Sequence, residues 1–180
     1  MILATLYFFL PGYIANSIPP ILNKFKLFES LAIPVDFNKK FKGKDIFGNH
    51  KTIRGVLGTF IIGTLLTVLF FEINKEVLLY EVIGLDYLKW NSFIFGMVYS
   101  ISIIFGDLLF AFIKRRLNLK PGAPFIPFDQ TNYVLGMFIL LQPFLKLSLC
   151  VWIVIFIQTF ILHSVFNRLG YVFHLHNAKW

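Results

Sequence analysis

With 180 residues, 57% of them apolar and only 14% charged, the chain lies outside the composition of soluble domains, where about 45–50% apolar and about 25% charged residues are usual. The 23 Phe exclude disorder, and the single cysteine, Cys150, excludes an internal disulfide framework. There are 17 Lys and Arg against 9 Asp and Glu, a net charge of +8; loop topology accounts for most of it, and no nucleic-acid recognition module is present.

Long apolar runs, rather than alternating strands of about ten residues, make the fold all-α: one polytopic transmembrane domain over 1–180. A crossing needs roughly 20 mostly apolar residues at about 1.5 Å each. Five stretches qualify in chain order: Ile2 to Leu22, Gly55 to Phe71, Trp90 to Ile113, about Gln130 to Leu145, and Leu147 to Asn167. The last two, joined, would measure about 57 Å, so a turn is expected near Gln142, Pro143 and Lys146. The first stretch has no basic flank and carries Pro11, Gly12, Pro19 and Pro20, unlike a cleaved signal peptide. Gly58 and Gly63 are spaced for helix packing.

Of the Lys and Arg residues, all but Lys75, Lys89 and Lys146 fall in two loops, about 23–54 and 114–129, or after the last span. Cations concentrate on the cytoplasmic side. Five transmembrane helices with the N-terminus outside and the C-terminus cytoplasmic follow, in the cell (inner or plasma) membrane. Tyr87 and Trp90 sit where an outer aromatic belt is expected.

Ionisable residues at membrane depth point to function. Asp107 follows Gly106 in the third span, two turns before Lys114; seven positions return to one helix face, about 10 Å along the axis. Lys114, Arg115 and Arg116 alone read as a basic flank. The loop beyond them, however, is fixed by Pro121, Pro124 and Pro127, turns at Gly122, includes Lys120, and ends in Asp129 at the start of the fourth span. Asp129 has capping as its plainest role. The first loop ends in His50-Lys51-Thr52-Ile53-Arg54, which sets Lys51, Thr52 and Arg54 at a helix N-terminus where anions are favoured; the Walker spacing is absent. His50 is a candidate base but more often such a residue is a polar loop group. Asn16, inside the first span, serves either as interhelical glue or as a substrate contact. His163, and the pair His174 and His176, lack the partners of a structural metal site.

Two carboxylates and several cations on one cytoplasmic face suit Mg²⁺ shared with a polyphosphate. A site at the membrane surface suggests phosphoryl or nucleotidyl transfer onto a lipid phosphate, by alignment and charge neutralisation.

At this point the sequence resembles the CDP-archaeol synthase family, the small branch of the phosphatidate cytidylyltransferases. The resemblance is carried by Leu10-Pro11-Gly12-Tyr13-Ile14-Ala15-Asn16-Ser17, Asp36-Phe37, Ile46-Phe47-Gly48, His50-Lys51-Thr52, Arg54-Gly55, Gly106-Asp107-Leu108, Phe112-Ile113-Lys114-Arg115-Arg116-Leu117, Lys120-Pro121-Gly122-Ala123-Pro124 and Asp129-Gln130. It implies Mg²⁺-dependent transfer of CMP from CTP to an isoprenoid diether glycerol phosphate, with pyrophosphate leaving. By matching motif, Asp107 and Asp129 are the metal carboxylates and, with Lys114, the catalytic set. Lys51, Thr52, Arg54, Lys114, Arg115, Lys120 and Gly122 are nucleotide-side residues. Asn16 and Arg116 are assigned to the lipid phosphate, with Asn16 and Asp36 the weaker correspondences. Asn49 and Ile53 depart from the family pattern. The alternatives are CDP-diacylglycerol synthesis from phosphatidate and a non-catalytic lipid-binding membrane protein with basic loops on anionic lipid. Apolar side chains lining a lipid groove do not tell diether from diacyl chains, and oligomeric state is left open.

Overall fold

A computed structural model describes residues 2–74, 91–120 and 123–172. Among them are five long helices: α1 (Ile2–Lys24), α2 (Ile53–Asn74), α3 (Ser92–Arg116), α4 (Phe128–Leu145) and α5 (Leu149–Val172). Each expected apolar stretch coincides with one helix to within a few residues. By length and composition α1, α2, α3 and α5 can cross a membrane. The fourth expected span is the exception: α4 has 18 residues, about 27 Å, and its first turns carry Asp129, Gln130 and Asn132. The anticipated belt residues Tyr87 and Trp90, and the pair His174 and His176, lie outside the described residues, as do Pro121 and Gly122.

Asn91 caps α3, its side chain accepting from the N–H groups of Phe93 and Ile94 at 3.0 Å each. At its other end α3 runs on through Arg116, so Lys114, Arg115 and Arg116 belong to its last turn, not to the loop. Cations there oppose the negative end of the helix dipole. The expected α4–α5 turn is present: Lys146 takes the left-handed conformation (φ 49°), the Gln142 amide donates to the Leu147 carbonyl at 2.9 Å, and the Trp152 indole N–H donates to Gln142 Oε1 at 2.6 Å.

Apolar side chains lie on the outside as well as in the core. Leu57, Ile61, Leu65 and Leu69 of α2 and Ile153, Ile157 and Ile161 of α5 are exposed at four-residue spacing, as helices facing lipid require. Thr59, Thr64, Ser100, Ser102 and Thr159 are buried between helices, where small polar residues permit close approach and bond across the interface. Phe9, Tyr99, Ile103, Met137, Trp152 and Ile155 fill the centre. Gly58 packs against Ile18 and Leu22 of α1, and Gly63 against Ser100 of α3.

The tightest contact joins α3 to α4. A Cβ on Gly106 would stand 2.2 Å from the Asn132 carbonyl oxygen, and one on Gly136 would stand 2.2 Å from that of Ser102. In both cases the obstacle is backbone, which cannot swing aside. Asp107 therefore follows a glycine pressed directly onto the helix that carries Asp129 and Asn132.

Between α1 and α2 the chain forms a structured loop. It contains a 3₁₀ turn at Glu29–Leu31 and a hairpin of β1 (Lys40–Phe41) and β2 (Lys44–Asp45), antiparallel, with Lys40 opposite Asp45 and Phe41 opposite Lys44. Lys42 and Gly43 make its two-residue turn with φ of 51° and 76°, both positive as such tight hairpins demand.

Replacing Gly136 by Leu should lower stability by about 1–3 kcal/mol or more. A fall in the thermal unfolding midpoint in detergent, larger than that of Ile139→Ala on the exposed side of the same helix, is the expected result.

Candidate active site

The close α3–α4 contact opens, toward the end of the bundle bearing the basic loops, into a cavity of about 240 Å³. Asp107, Lys114 and Arg115 reach it from α3, Asp129 and Asn132 from α4, and Lys51 from the chain entering α2. Phe47, His50, Phe110 and Ala111 complete the lining. The two carboxylates singled out in the sequence thus share one cavity, although they come from different helices.

Each carboxylate is held by a lysine. Lys51 Nζ donates to Asp107 Oδ1 at 2.6 Å, and the Asn132 amide donates to the same oxygen at 3.2 Å. Lys114 Nζ donates to both Asp129 oxygens, at 2.9 and 2.8 Å, and to the Ala123 carbonyl at 2.6 Å. Asp129 Oδ2 also accepts from the Phe125 N–H at 2.8 Å. Asp129 is therefore no helix cap; Pro127 occupies that position, with no side-chain cap. The helical spacing had put Lys114 on the face of Asp107; in the structure it turns instead to Asp129.

Arg115 is buried against the cavity. Its Nε has no hydrogen-bond partner among the described residues, a costly state for a cationic donor. The Arg115 side chain lies over Gly48, whose φ is 89° and whose missing Cβ would meet Nη1 at 3.6 Å.

Gly48 and Phe47 are fixed in turn by Asp36, which is buried in the first loop. The Asp36 carboxylate accepts from the N–H groups of Phe47 (2.9 Å), Gly48 (3.1 Å) and Asn38 (3.0 Å). Burial by itself pushes this carboxyl up, but the backbone N–H bonds outweigh it and hold the group below its ordinary value. Asp36 is thus a loop clamp, a role that the motif alone did not reveal.

Several residues expected in the site lie elsewhere. The Arg54 guanidinium is buried and donates to Asn23 Oδ1 at 2.8 Å and to the Leu27 carbonyl at 3.1 Å, tying α2 to the end of α1. Thr52 accepts from the Gly55 N–H at 3.3 Å, as a cap for α2. Arg116 donates to the carbonyls of Phe41, Lys44 and Asp45 and lies over the rings of Phe41 and Phe112, at 5.5 and 5.0 Å. Both terminal nitrogens of the guanidinium are thus engaged by the hairpin, while Nε has no partner among the described residues; Arg116, expected on a lipid phosphate, here fastens the hairpin to α3. Lys120 is not among the residues lining the cavity. Gly122 falls outside the described residues.

Asn16 has two neighbourhoods. It lines a small pocket with Pro19, Thr59 and Asp107, and it also borders a groove of about 580 Å³ between α1 and α5. Leu6 and Leu10 line one end of that groove; Asn16, Ser17, His163 and Asn167 line the other. The groove is mostly apolar, and its polar end lies on the Asp107 side.

The donor set in the cavity suits a hard divalent cation. It offers carboxylate oxygens, with no thiolate, and among the described residues no cluster of three or more His, Cys, Asp or Glu is formed. Two carboxylates leave coordination positions for water and phosphate oxygens, as a hard divalent cation requires.

A protein-family model described as CarS-like, CDP-archaeol synthase, matches residues 1–180. The chain belongs to the CDP-archaeol synthase family. Relatives named CDP-archaeol synthase include that of Pyrobaculum islandicum, 35% identical over 97% of this chain and 98% of its own length. That of Pyrococcus furiosus is 31% identical over 99% and 98%. A solved structure described as an intramembrane enzyme for archaeal membrane lipid biosynthesis is 24% identical, with a TM-score of 0.73 over 93% of this chain and 94% of that one; it shares the fold. As a CDP-archaeol synthase family member the chain is a multi-pass membrane enzyme, a nucleotidyltransferase of lipid biosynthesis. This sets aside the non-catalytic scaffold.

Two expectations follow for the loop in this family member. The depressed Asp36 value means that the ionised carboxylate favours the folded loop above its ordinary value of 3.8, a gain lost as pH falls through the lower folded value. Pepsin should cut residues 34–52 of the wild type only at the acid end of its range, whereas Asp36→Asn should be cut readily throughout. In Arg116→Ala, trypsin should cleave at Lys40, Lys42 or Lys44 several-fold faster than in wild type, and Arg116→Lys should not restore protection, because one ammonium cannot span three carbonyls.

Proposed function

We propose that the Asp107–Asp129 cavity transfers CMP from CTP to a lipid phosphate of the 2,3-bis-O-geranylgeranyl-glycerol 1-phosphate type, giving CDP-archaeol and pyrophosphate. The observation that carries this reading is the convergence in one cavity of two carboxylates and three cations, Lys51, Lys114 and Arg115, beside an apolar groove. Bound Mg²⁺ would neutralise phosphate charge and supply Lewis acidity at the reacting phosphorus; Asp107 and Asp129 are the residues to hold it.

In this reading the chain mainly positions and neutralises. Lys51, Lys114 and Arg115 bind the triphosphate, and the unpartnered Arg115 Nε gains an acceptor. An oxygen of the lipid phosphate, already an anion near neutral pH, attacks the α-phosphorus in line. The new P–O bond forms as the bond to the β-phosphate oxygen breaks, and its electron pair leaves with pyrophosphate. No general base is needed, so His50 is left as a polar group of the rim. Phe47, Phe110 and Ala111 exclude water from one side of the cavity. The lipid chains lie in the α1–α5 groove, and Asn16 stands between that groove and Asp107. In this reading the site faces the cytoplasm at the cell membrane, as the excess of cations in its loops favours, and α4 is the fourth of five spans.

Asp129→Asn should lower CMP transfer by at least about a hundredfold while the variant still inserts and unfolds cooperatively. Labelled CTP and the diether phosphate, assayed with purified protein, measure it; a normal rate would remove Asp129 from the site. CTP with Mg²⁺ should raise the wild-type unfolding midpoint where ATP does not. Running phosphatidate beside the diether phosphate identifies the acceptor.

A further inference from the structure

His163 is an imidazole at membrane depth that neither the cavity chemistry nor the helix packing uses. Such a residue in a spanning helix is a functional candidate, and here three observations bear on it. First, it lies at the polar end of the α1–α5 groove, with Asn16 and Asn167. The other polar side chains lining the groove, Tyr13, Ser17 and Tyr133, are already bonded: Tyr13 to Thr159 Oγ1 at 3.1 Å, Ser17 to the Tyr13 carbonyl at 3.0 Å, and Tyr133 to Thr159. Asn16, His163 and Asn167 have no side-chain hydrogen bond among the described residues.

Second, the two helices meet at this polar end. Asn16 of α1 and His163 of α5 line the same groove, so they face one another at its polar end. The groove extends from there past Leu10 to Leu6, about 15 Å of apolar wall along α1 from Asn16. Third, the polar end lies toward the reacting end: Asn16 shares a pocket with Asp107. Unpaired N–H donors at the head of an apolar groove, joined through Asn16 to a pocket that Asp107 lines, match an amphiphile with long chains and a small anionic head.

On the reading given under Proposed function, we infer that His163 binds the phosphomonoester head of the acceptor lipid, with Asn16 across the groove and Asn167 one turn further along α5. Its ring N–H donates to a phosphate oxygen and holds the head at the mouth of the Asp107 pocket, while the chains follow α1 toward Leu6. His163 thereby positions the acceptor without contacting the nucleotide.

Kinetics of the full-length protein in mixed micelles test this, with lipid phosphate and CTP varied separately. His163→Ala should raise KM for the lipid phosphate about tenfold, the size of one lost bond to a charged group, with KM for CTP changed less than about twofold. His163→Gln, which keeps an N–H donor, should recover most of the loss. An unchanged lipid KM in His163→Ala, or equal rises in both KM values, would overturn the assignment. A second measurement needs neither a variant nor turnover. Diethyl pyrocarbonate modification of His163 in the wild type, read by peptide mass spectrometry, should slow several-fold with lipid phosphate, but not with the same lipid lacking its phosphate. Equal rates with and without lipid phosphate, or equal protection by the alcohol, would also overturn it. A wild type that protects His163 yet does not consume CTP would instead sink the transferase reading and leave the lipid site standing.

Discussion

The arrangement depends on a contact with no side chain in it. Gly106 and Gly136 let α3 and α4 meet backbone to backbone, each lying where a Cβ would strike a carbonyl oxygen of the other helix at 2.2 Å. Lipid supplies no hydrophobic drive for helices to associate, so close van der Waals packing must provide it. The consequence is local. Asp107 is the residue after Gly106, and Asn132 stands one turn before Gly136, so the Asn132 amide reaches the Asp107 carboxylate at 3.2 Å. A wider interface would separate the carboxylates that line the cavity.

Electrostatics adds a second constraint. Two half-buried carboxylates facing one cavity repel each other, and cationic partners relieve that repulsion. Lys51 and Lys114 are those partners, at 2.6 and 2.8 Å. The same ammonium groups suit phosphate oxygens, so the residues that stabilise the folded site are also those that a polyphosphate would engage. The outer ring of the site serves geometry. Asp36 holds the turn at Phe47 and Gly48, Gly48 seats Arg115, and Arg116 fastens the hairpin to the end of α3.

Much of this was legible in the chain. Apolar runs of roughly 20 residues gave the helices because membrane thickness sets their length, and the turn at Gln142 and Lys146 followed from the same arithmetic. The ordered motifs around Asp107, Lys114 and Asp129 marked the family and three residues that line one cavity. The basic residues were harder to assign. Lys, Thr and Arg near a phosphate-binding motif look alike in sequence, yet Arg54 ties two helices, Thr52 caps one, and Arg116 clamps a hairpin. Which way a guanidinium points depends on which carbonyls the fold brings near it. Lys114 shared a helical face with Asp107 by periodicity, but the bend of the loop at Ala123 and Phe125 brought Asp129 closer.

Composition and periodicity by themselves determined the membrane class, the helices, and the acidic and basic residues worth following, since these depend on transfer of side chains between water and lipid, a property local to each segment. Tertiary structure decided the pairing of each lysine with its carboxylate, the structural duty of Arg54, Arg116 and Asp36, and the meeting of Asn16 with His163 at the head of one groove. Those depend on distances of a few ångströms between segments far apart in the chain, and such distances arise only when the helices pack.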